Sequence, residues 1–520
     1  MHRLVIASVT LIGLVGAVVV AGYLLLFSAA TDRAASLAPA NTALYVNVYL
    51  QPSTGQQMNL AELIGRLPGF ADDATLDEKV DQVVQNLLSG SGIDYRADVK
   101  PWLGDQVAIA AWPGGEDVTQ VEAVLLAEVR DREAAEASVA NVVGADGATF
   151  TAQDYEGVQL QVSEGGAYAF VGDLLVVGPA AEALQAVIDA DGGESLADQA
   201  DFRAAVDDLP EDHLASIFVD IAGLAAAGGA TDATEGLTIA SAVLVAEPSG
   251  LRLSGNAPLS DVAASSGAAE PGPSVSTLAG WMPADTIAEA VIFDLRTLFE
   301  GAEGAIGSAP GGEDVGSMLD TIRAIAAFGL GIDLDTDVLP LFEGEVGIAL
   351  GGFSGDLLPS GQLLLRPEDS AAASGLLGTL SERLEAAGAT LETETAAGTE
   401  IVTLELPDTG SASYAVLDGT IVLGLGAEDV RAAIEAHADG DTLAASPSYE
   451  AAFEPMGIRA GSEIWVDVGT LVDALGGGLE LPEDGRDILS RIGTFALTIP
   501  SRHDQIEFHA ALTVTAPGAD

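Results

Sequence analysis

The 520-residue sequence contains no cysteine and only two lysines, Lys79 and Lys100. The missing cysteine excludes disulfides, thiolate metal sites, a cysteine nucleophile and lipid attachment at an N-terminal cysteine. It does not choose a compartment. Basic residues of any kind are scarce, 19 against 79 acidic residues, giving a net charge of -60. Charge of that sign opposes contact with nucleic acid phosphates or an anionic membrane surface, so no nucleic acid partner is expected. Apolar residues are not scarce: they make up 48% of the chain, and the mean hydropathy is +0.34. That excludes a disordered acidic tail. The length exceeds what one ordinary core accommodates, which predicts two domains or more.

One stretch is free of charge altogether. Leu4–Phe27, LVIASVTLIGLVGAVVVAGYLLLF, offers 24 residues, which at about 1.5 Å each can cross a hydrocarbon core of about 30 Å. His2 and Arg3 precede it, so the positive-inside bias predicts a cytoplasmic N-terminus and a body outside the cell membrane. Ser28-Ala29-Ala30 resembles a small-residue cleavage site. A signal-peptide apolar region is usually about 7–15 residues, however, and the longer run favours an uncleaved anchor. A short exposed neck, Thr31–Ser36, is expected to follow.

The body is written twice. Leu175–Ala190, LVVGPAAEALQAVIDA, returns at Ile421–Ala436 as IVLGLGAEDVRAAIEA. Each copy reads as a buried strand running into a glycine, Gly178 or Gly424, followed by an amphipathic helix with Glu182 or Glu428 in its first turn. Pro283-Ala-Asp285-Thr286 echoes Pro39-Ala-Asn41-Thr42, and Ile464-Trp465-Val466-Asp467-Val468 echoes Ile217-Phe218-Val219-Asp220-Ile221. Residues Pro258–Gly280 are rich in Ala, Ser, Gly and Pro and read as a connection. The expected fold class is therefore α+β: an N-terminal transmembrane helix followed by two tandem homologous α+β repeats with largely antiparallel sheets. The expected segments are 1–35 for the N-terminus, anchor and neck, 36–257 for the first repeat, 258–280 for the connection, 281–514 for the second repeat, and 515–520 for a tail.

The membrane-type segment, the proline-led opening strand, the run Asp98-Val-Lys-Pro-Trp-Leu-Gly-Asp105 and the Leu-Val-Val-Gly strand–helix together resemble the bacterial family catalogued as domain of unknown function 3352. The resemblance covers most of Leu37–Val472. It implies an exported, membrane-tethered protein and supplies no catalytic residues. The second repeat keeps the Pro101-Trp102-Leu103-Gly104-Asp105 run only loosely, as Pro340-Leu-Phe-Glu-Gly344.

Little in the pattern points to catalysis. Asn47, Asp220, Asp294 and Asp467 end apolar strands and could converge on a cation. The three aspartates each read as a strand turning into a helix, where the side chain caps the first turn. Asp333-Leu-Asp335-Thr-Asp337 alternates carboxylates as a calcium loop does, but Val338 and Gly344 stand where an EF-hand needs glycine and glutamate. Gly352-Phe-Ser354-Gly355-Asp356 misses the serine elbow by its last glycine. His2, His213, His437, His503 and His509 have no metal-ligand spacing, and Gly329-Leu-Gly331 and Gly424-Leu-Gly426 lack the context of a dinucleotide loop. Trp102, Trp112, Trp281 and Trp465 read as core anchors. No catalytic, metal or cofactor-binding residue and no cofactor is assigned. The expectation is a non-enzymatic, membrane-anchored binding or interaction module of the cell envelope. Its expected partners are the membrane through Leu4–Phe27 and an envelope protein, polymer or apolar ligand. A structural spacer and a carboxylate-dependent envelope hydrolase are the alternatives.

Overall fold

The structure, a computed structural model, describes residues 32–515 except 52, 68–74, 89–92, 115–120, 146–148, 208, 211, 228–237, 260–274, 294, 297–322, 324–330, 332, 354–358, 387, 407–409, 458, 476–488, 490 and 501–504. Its contacts divide the chain into two compact units, Met1–Ala269 with Asp504–Glu507 and Glu270–His503 with Phe508–Asp520.

The first unit carries ten strands: β1 Leu44–Tyr49, β2 Leu103–Pro113, β3 Val121–Val129, β4 Thr151–Tyr155, β5 Val158–Ser163, β6 Gly166–Val171, β7 Leu174–Gly178, β8 Ala215–Asp220, β9 Ile239–Glu247 and β10 Gly250–Pro258. Their antiparallel pairings give the order β4-β5-β6-β7-β3-β2-β1-β8-β9-β10. The second unit carries β11 Ala288–Phe293, β12 Glu345–Phe353, β13 Pro359–Arg366, β14 Thr390–Ala396, β15 Thr399–Leu406, β16 Gly410–Leu417, β17 Thr420–Gly424, β18 Ser462–Asp467, β19 Ile492–Ile499 and β20 Gln505–Val514. Here the order is β14-β15-β16-β17-β13-β12-β11-β18-β19-β20, again antiparallel throughout. Strand for strand, the two orders are the same.

Helices follow the same plan. In the first unit α1 is Thr54–Arg66, α2 Leu76–Leu87, α3 Arg132–Ala145, α4 Ala181–Ala190, α5 Ala200–Asp207 and α6 Ile221–Ala227; in the second, α7 is Ser370–Ala386, α8 Ala427–Asp439, α9 Pro447–Phe453 and α10 Val468–Leu475. The duplicated stretch shows why the chain folds this way. Helix α4 buries Ala181, Leu184, Val187 and Ile188, and α8 buries Val430, Ala433 and Ile434, each a stripe at helical spacing. Each buried Leu, Val or Ile is worth about 1.5–3 kcal/mol relative to exposure. The glycine before each helix lets it settle onto its strand. A Cβ on Gly178 would meet Leu184 Cδ1 at 2.9 Å, and one on Gly424 would meet Asp429 Cβ at 2.7 Å. The first core gathers Tyr45, Trp112, Leu126, Leu160, Leu184 and Phe218; the second gathers Trp281, Val291, Leu364, Ile401, Ile434 and Trp465.

Two expectations are corrected. The expected fold class gives each α+β repeat sheets of its own behind a transmembrane helix. In each unit the ten strands instead form one continuous antiparallel sheet, and among the described residues no helix is long and apolar enough to cross a membrane. Leu4–Phe27 and Ser28-Ala29-Ala30 lie outside the described residues. Apolar periodicity predicts which residues form strands and which faces they bury; it carries no information on where a sheet ends. The second correction concerns the neck. Ala34 and Ala35 are buried in the first core, Tyr45 donates its hydroxyl proton to Asp32 Oδ1 at 2.6 Å, and Arg33 pairs with Glu128 at 2.8 Å. Small apolar side chains next to the opening strand pack beneath it rather than spacing it from the preceding run.

Candidate functional site

The aspartates at strand ends are caps. Asp220 Oδ1 accepts from Gly223 N at 2.8 Å, and Asp467 Oδ1 accepts from Thr470 N at 2.9 Å. Asp294 lies outside the described residues. Asn47 sits in mid-strand rather than at an end. It is buried and donates through Nδ2 to Gln106 Oε1 at 3.4 Å. Among the described residues no group of three or more His, Asp or Glu is arranged to hold a metal ion.

The Asp333-Asp335-Asp337 run is spent on its own backbone. Asp333 Oδ1 accepts from Asp335 N and Thr336 N at 3.0 and 3.1 Å, Asp337 Oδ2 accepts from Asp333 N at 2.9 Å, and Asp335 pairs with Arg323 at 3.2 Å. The first unit repeats the device: Asp94 Oδ1 accepts from Ala97 N at 3.0 Å, and Asp98 Oδ2 from Asp94 N at 2.9 Å. Two carboxylates four residues apart close one wide helical turn in each unit.

His213 is buried edge-on to Tyr49, its Nδ1 2.7 Å from Pro210 O, and burial lowers its pKa. His437 stacks on Trp281 at 3.6 Å with Nδ1 2.9 Å from Gly280 O. Among the described residues, neither ring is hydrogen-bonded to a carboxylate that would make it a catalytic base. All four tryptophans are buried. His2, His503 and Ser354 lie outside the described residues.

The concentrated chemistry lies in the second unit, at positions the sequence reading did not single out. Glu289 on β11 is 2% exposed, Glu463 on β18 1%, and Tyr449 on α9 0%. The Tyr449 hydroxyl lies 2.5 Å from Glu289 Oε1 and 3.0 Å from Glu463 Oε1. Arg459, from the turn before β18, donates Nε to Glu463 Oε2 at 2.9 Å and Nη2 to Glu463 Oε1 at 3.1 Å. Its Nη2 also donates to the Tyr449 hydroxyl. The guanidinium carbon lies 4.5 Å from the ring centres of both Tyr449 and Phe453. Burial first, and the neighbouring Glu463 carboxylate second, push the Glu289 acid up to about 8. Burial and the two carboxylates also push the Tyr449 hydroxyl upward.

Arg459 reaches from this cluster into a cleft of about 540 Å³, where it meets Pro447, Ala451 and Phe453 with the exposed carboxylates Glu450 and Glu454. Two signals in the sequence could have found the cluster. A glutamate interrupts each of the apolar strands Ala288–Phe293 and Ser462–Asp467. Strand register also makes the first unit a reference. Tyr45 faces Phe218 across β1 and β8, as Glu289 faces Trp465 across β11 and β18. Counting back from the capping aspartates, Ser216 stands where Glu463 does. Phe202 packs edge-on to Tyr45 and Phe218, as Tyr449 does to Trp465.

A family model described as "Protein of unknown function (DUF3352)" matches residues 4–514. No curated protein matches the chain. Solved structures of TP0453 in crystal forms III, IV and I are similar, at TM-scores of 0.25, 0.24 and 0.24 and identities of 10, 10 and 12%. Each covers 45% of this chain, and the matches span 82, 85 and 81% of those chains. At these scores the likeness carries no argument about fold or function.

Proposed function

The chain belongs to the DUF3352 family of proteins of unknown function, and on that footing we propose that it is a non-catalytic binding module of the cell envelope, held at the membrane through Leu4–Phe27 with its body outside the cell. Membrane tethering is supported by the 24 uncharged residues of that run. The observation that carries the binding reading is how the buried cluster is closed. Arg459 commits Nε and Nη2 to Glu463, and Glu289 is 2% exposed. The two carboxyl groups are therefore turned to Tyr449 and Arg459, and of the cluster it is the Arg459 guanidinium that lines the cleft. A carboxylate-dependent hydrolase needs an acid and a base that reach the scissile bond. The cleft instead presents apolar walls with an acidic rim, which suits recognition of an envelope protein, polymer or apolar ligand. The net charge of -60 disfavours nucleic acid.

A chain without cysteine allows a clean test. Ala451→Cys in the cleft, and Asp154→Cys on the exposed strand β4 of the first unit, would be labelled on intact cells with a membrane-impermeant maleimide carrying a photo-crosslinker. The expected outcome is labelling of both, with a discrete, saturable crosslink to an envelope component from position 451 alone. Labelling only after lysis rejects the external placement. Turnover of a glycan, peptide or ester, abolished by one carboxylate substitution without unfolding, rejects the non-catalytic reading.

A further inference from the structure

The Tyr449 hydroxyl has three hydrogen-bonding neighbours and one proton. Arg459 Nη2 can only donate to it. The hydroxyl proton can be aimed at one carboxyl oxygen, yet Glu463 Oε1 and Glu289 Oε1 both lie within hydrogen-bonding distance. The set is satisfied only if one of the two acids carries a proton and donates it to the tyrosine oxygen. Glu463 holds the guanidinium through both its oxygens and is the ionised member. Glu289 makes the shorter contact with the tyrosine, and its Oε2 is buried with no partner among the described residues. An ionised carboxylate with one oxygen buried and bare is strongly disfavoured.

We propose that Glu289 is carried as the neutral acid in the folded protein, and that its proton, through the buried Tyr449 hydroxyl, latches Arg459, which lines the cleft. With the proton in place the cluster is balanced, one guanidinium against one carboxylate. Without it, two buried carboxylates compete for one guanidinium and one hydroxyl. The groups facing Glu289 are Glu463 from β18, Tyr449 from α9 and Arg459 from the turn before β18; β12 sets the apolar Ala349 opposite. The movable member is Arg459, which is half-buried and lines the cleft. The first unit builds the same strands with Tyr45, Ser216 and Phe202 in the corresponding places, so this fold does not require an acid pair there. The effect on binding rests on the cleft being the recognition site; the buried proton does not.

The sign of the pH dependence follows from the shift. Glu289 moves from 4.5 to about 8 on folding, so its stabilising contribution is complete below about 4.5 and is lost as pH rises toward about 8. The test is infrared spectroscopy of the full chain. At about pH 6 the wild type should show a protonated-carboxyl band that shifts on carbon-13 glutamate labelling and disappears in alkali, and Glu289→Gln should lack it. The melting temperature of wild type should also fall relative to Glu289→Gln between about pH 5 and pH 8, and no further above that. Absence of the band in wild type, or its persistence in Glu289→Gln, overturns the proposal. Should the variant not fold, the labelled wild type decides the matter alone. A missing crosslink at position 451 would reject the binding reading while leaving the band untouched, so the two ideas fail separately.

Discussion

Asp220 and Asp467 occupy one station in the two units, and the Oδ1 of each accepts from the N–H three residues on. Removing such a cap leaves an amide of the first helical turn unsatisfied at a cost of about 0.5–2 kcal/mol. Asp220→Ala or Asp467→Ala should therefore lower the urea midpoint of unfolding by that equivalent, while the asparagine variants stay close to wild type. A midpoint unchanged by the alanine variants would show that the caps contribute nothing. At the residue scale the sequence shows local chemistry and hides distant chemistry. Capping is decided within four residues, so Asp220 and Asp467 were legible. The Glu289–Tyr449 contact joins residues 160 positions apart, and nothing in either neighbourhood announces the other. The Asp333 run is local chemistry that looks like a distant site. Its alternating carboxylates resemble metal ligands in sequence, whereas their oxygens are taken by backbone amides and Arg323.

Elements were legible where burial imposes a period. Helices α4 and α8 announce themselves because their buried residues recur at helical spacing. β4 does not: Thr151–Tyr155 is exposed at every position but the last, so it carries no alternation to read. Helix α1 starts earlier than its apolar stripe suggests. Its cap is Ser53, which accepts from Gln56 N at 3.2 Å ahead of the first buried leucine. Gly461, immediately before β18, tests how closely an element junction is packed. It holds a φ of +74°, and a Cβ there would lie 2.0 Å from Ile499 O. Gly440, which closes α8, holds a φ of +79° with nothing within 4 Å of such a Cβ. Gly440→Ala should cost about 1 kcal/mol for the left-handed backbone alone. Gly461→Ala adds a backbone collision and should cost at least about 2 kcal/mol more. Equal melting temperatures for the two variants would show that the β18–β19 approach relaxes freely.

At the scale of the whole molecule the governing quantity is charge. Nineteen cations cannot neutralise 79 carboxylates, and several ion pairs are substantially exposed, such as Arg132–Glu136 and Arg203–Asp198 with every side chain above half exposure. Exposed pairs of that kind contribute about 0–1 kcal/mol each, so salt that screens them removes little. The same salt screens the repulsion among the unpaired carboxylates, which are far more numerous. The screening length falls from about 10 Å at 0.1 M to about 3 Å at 1 M, below typical spacings between surface carboxylates. Repulsion opposes the compact state more than the unfolded one, where the same charges stand farther apart. The melting temperature should therefore rise between dilute buffer and about 1 M sodium chloride, and most of the rise should come before the screening length falls below the charge spacing. Scanning calorimetry in sodium chloride and in sodium sulfate at matched ionic strength separates the two contributions of salt. Screening gives equal early rises in both, whereas surface exclusion makes sulfate the stronger stabiliser throughout. A melting temperature indifferent to chloride would mean that the carboxylates are spaced or neutralised well enough for the excess charge not to load the fold.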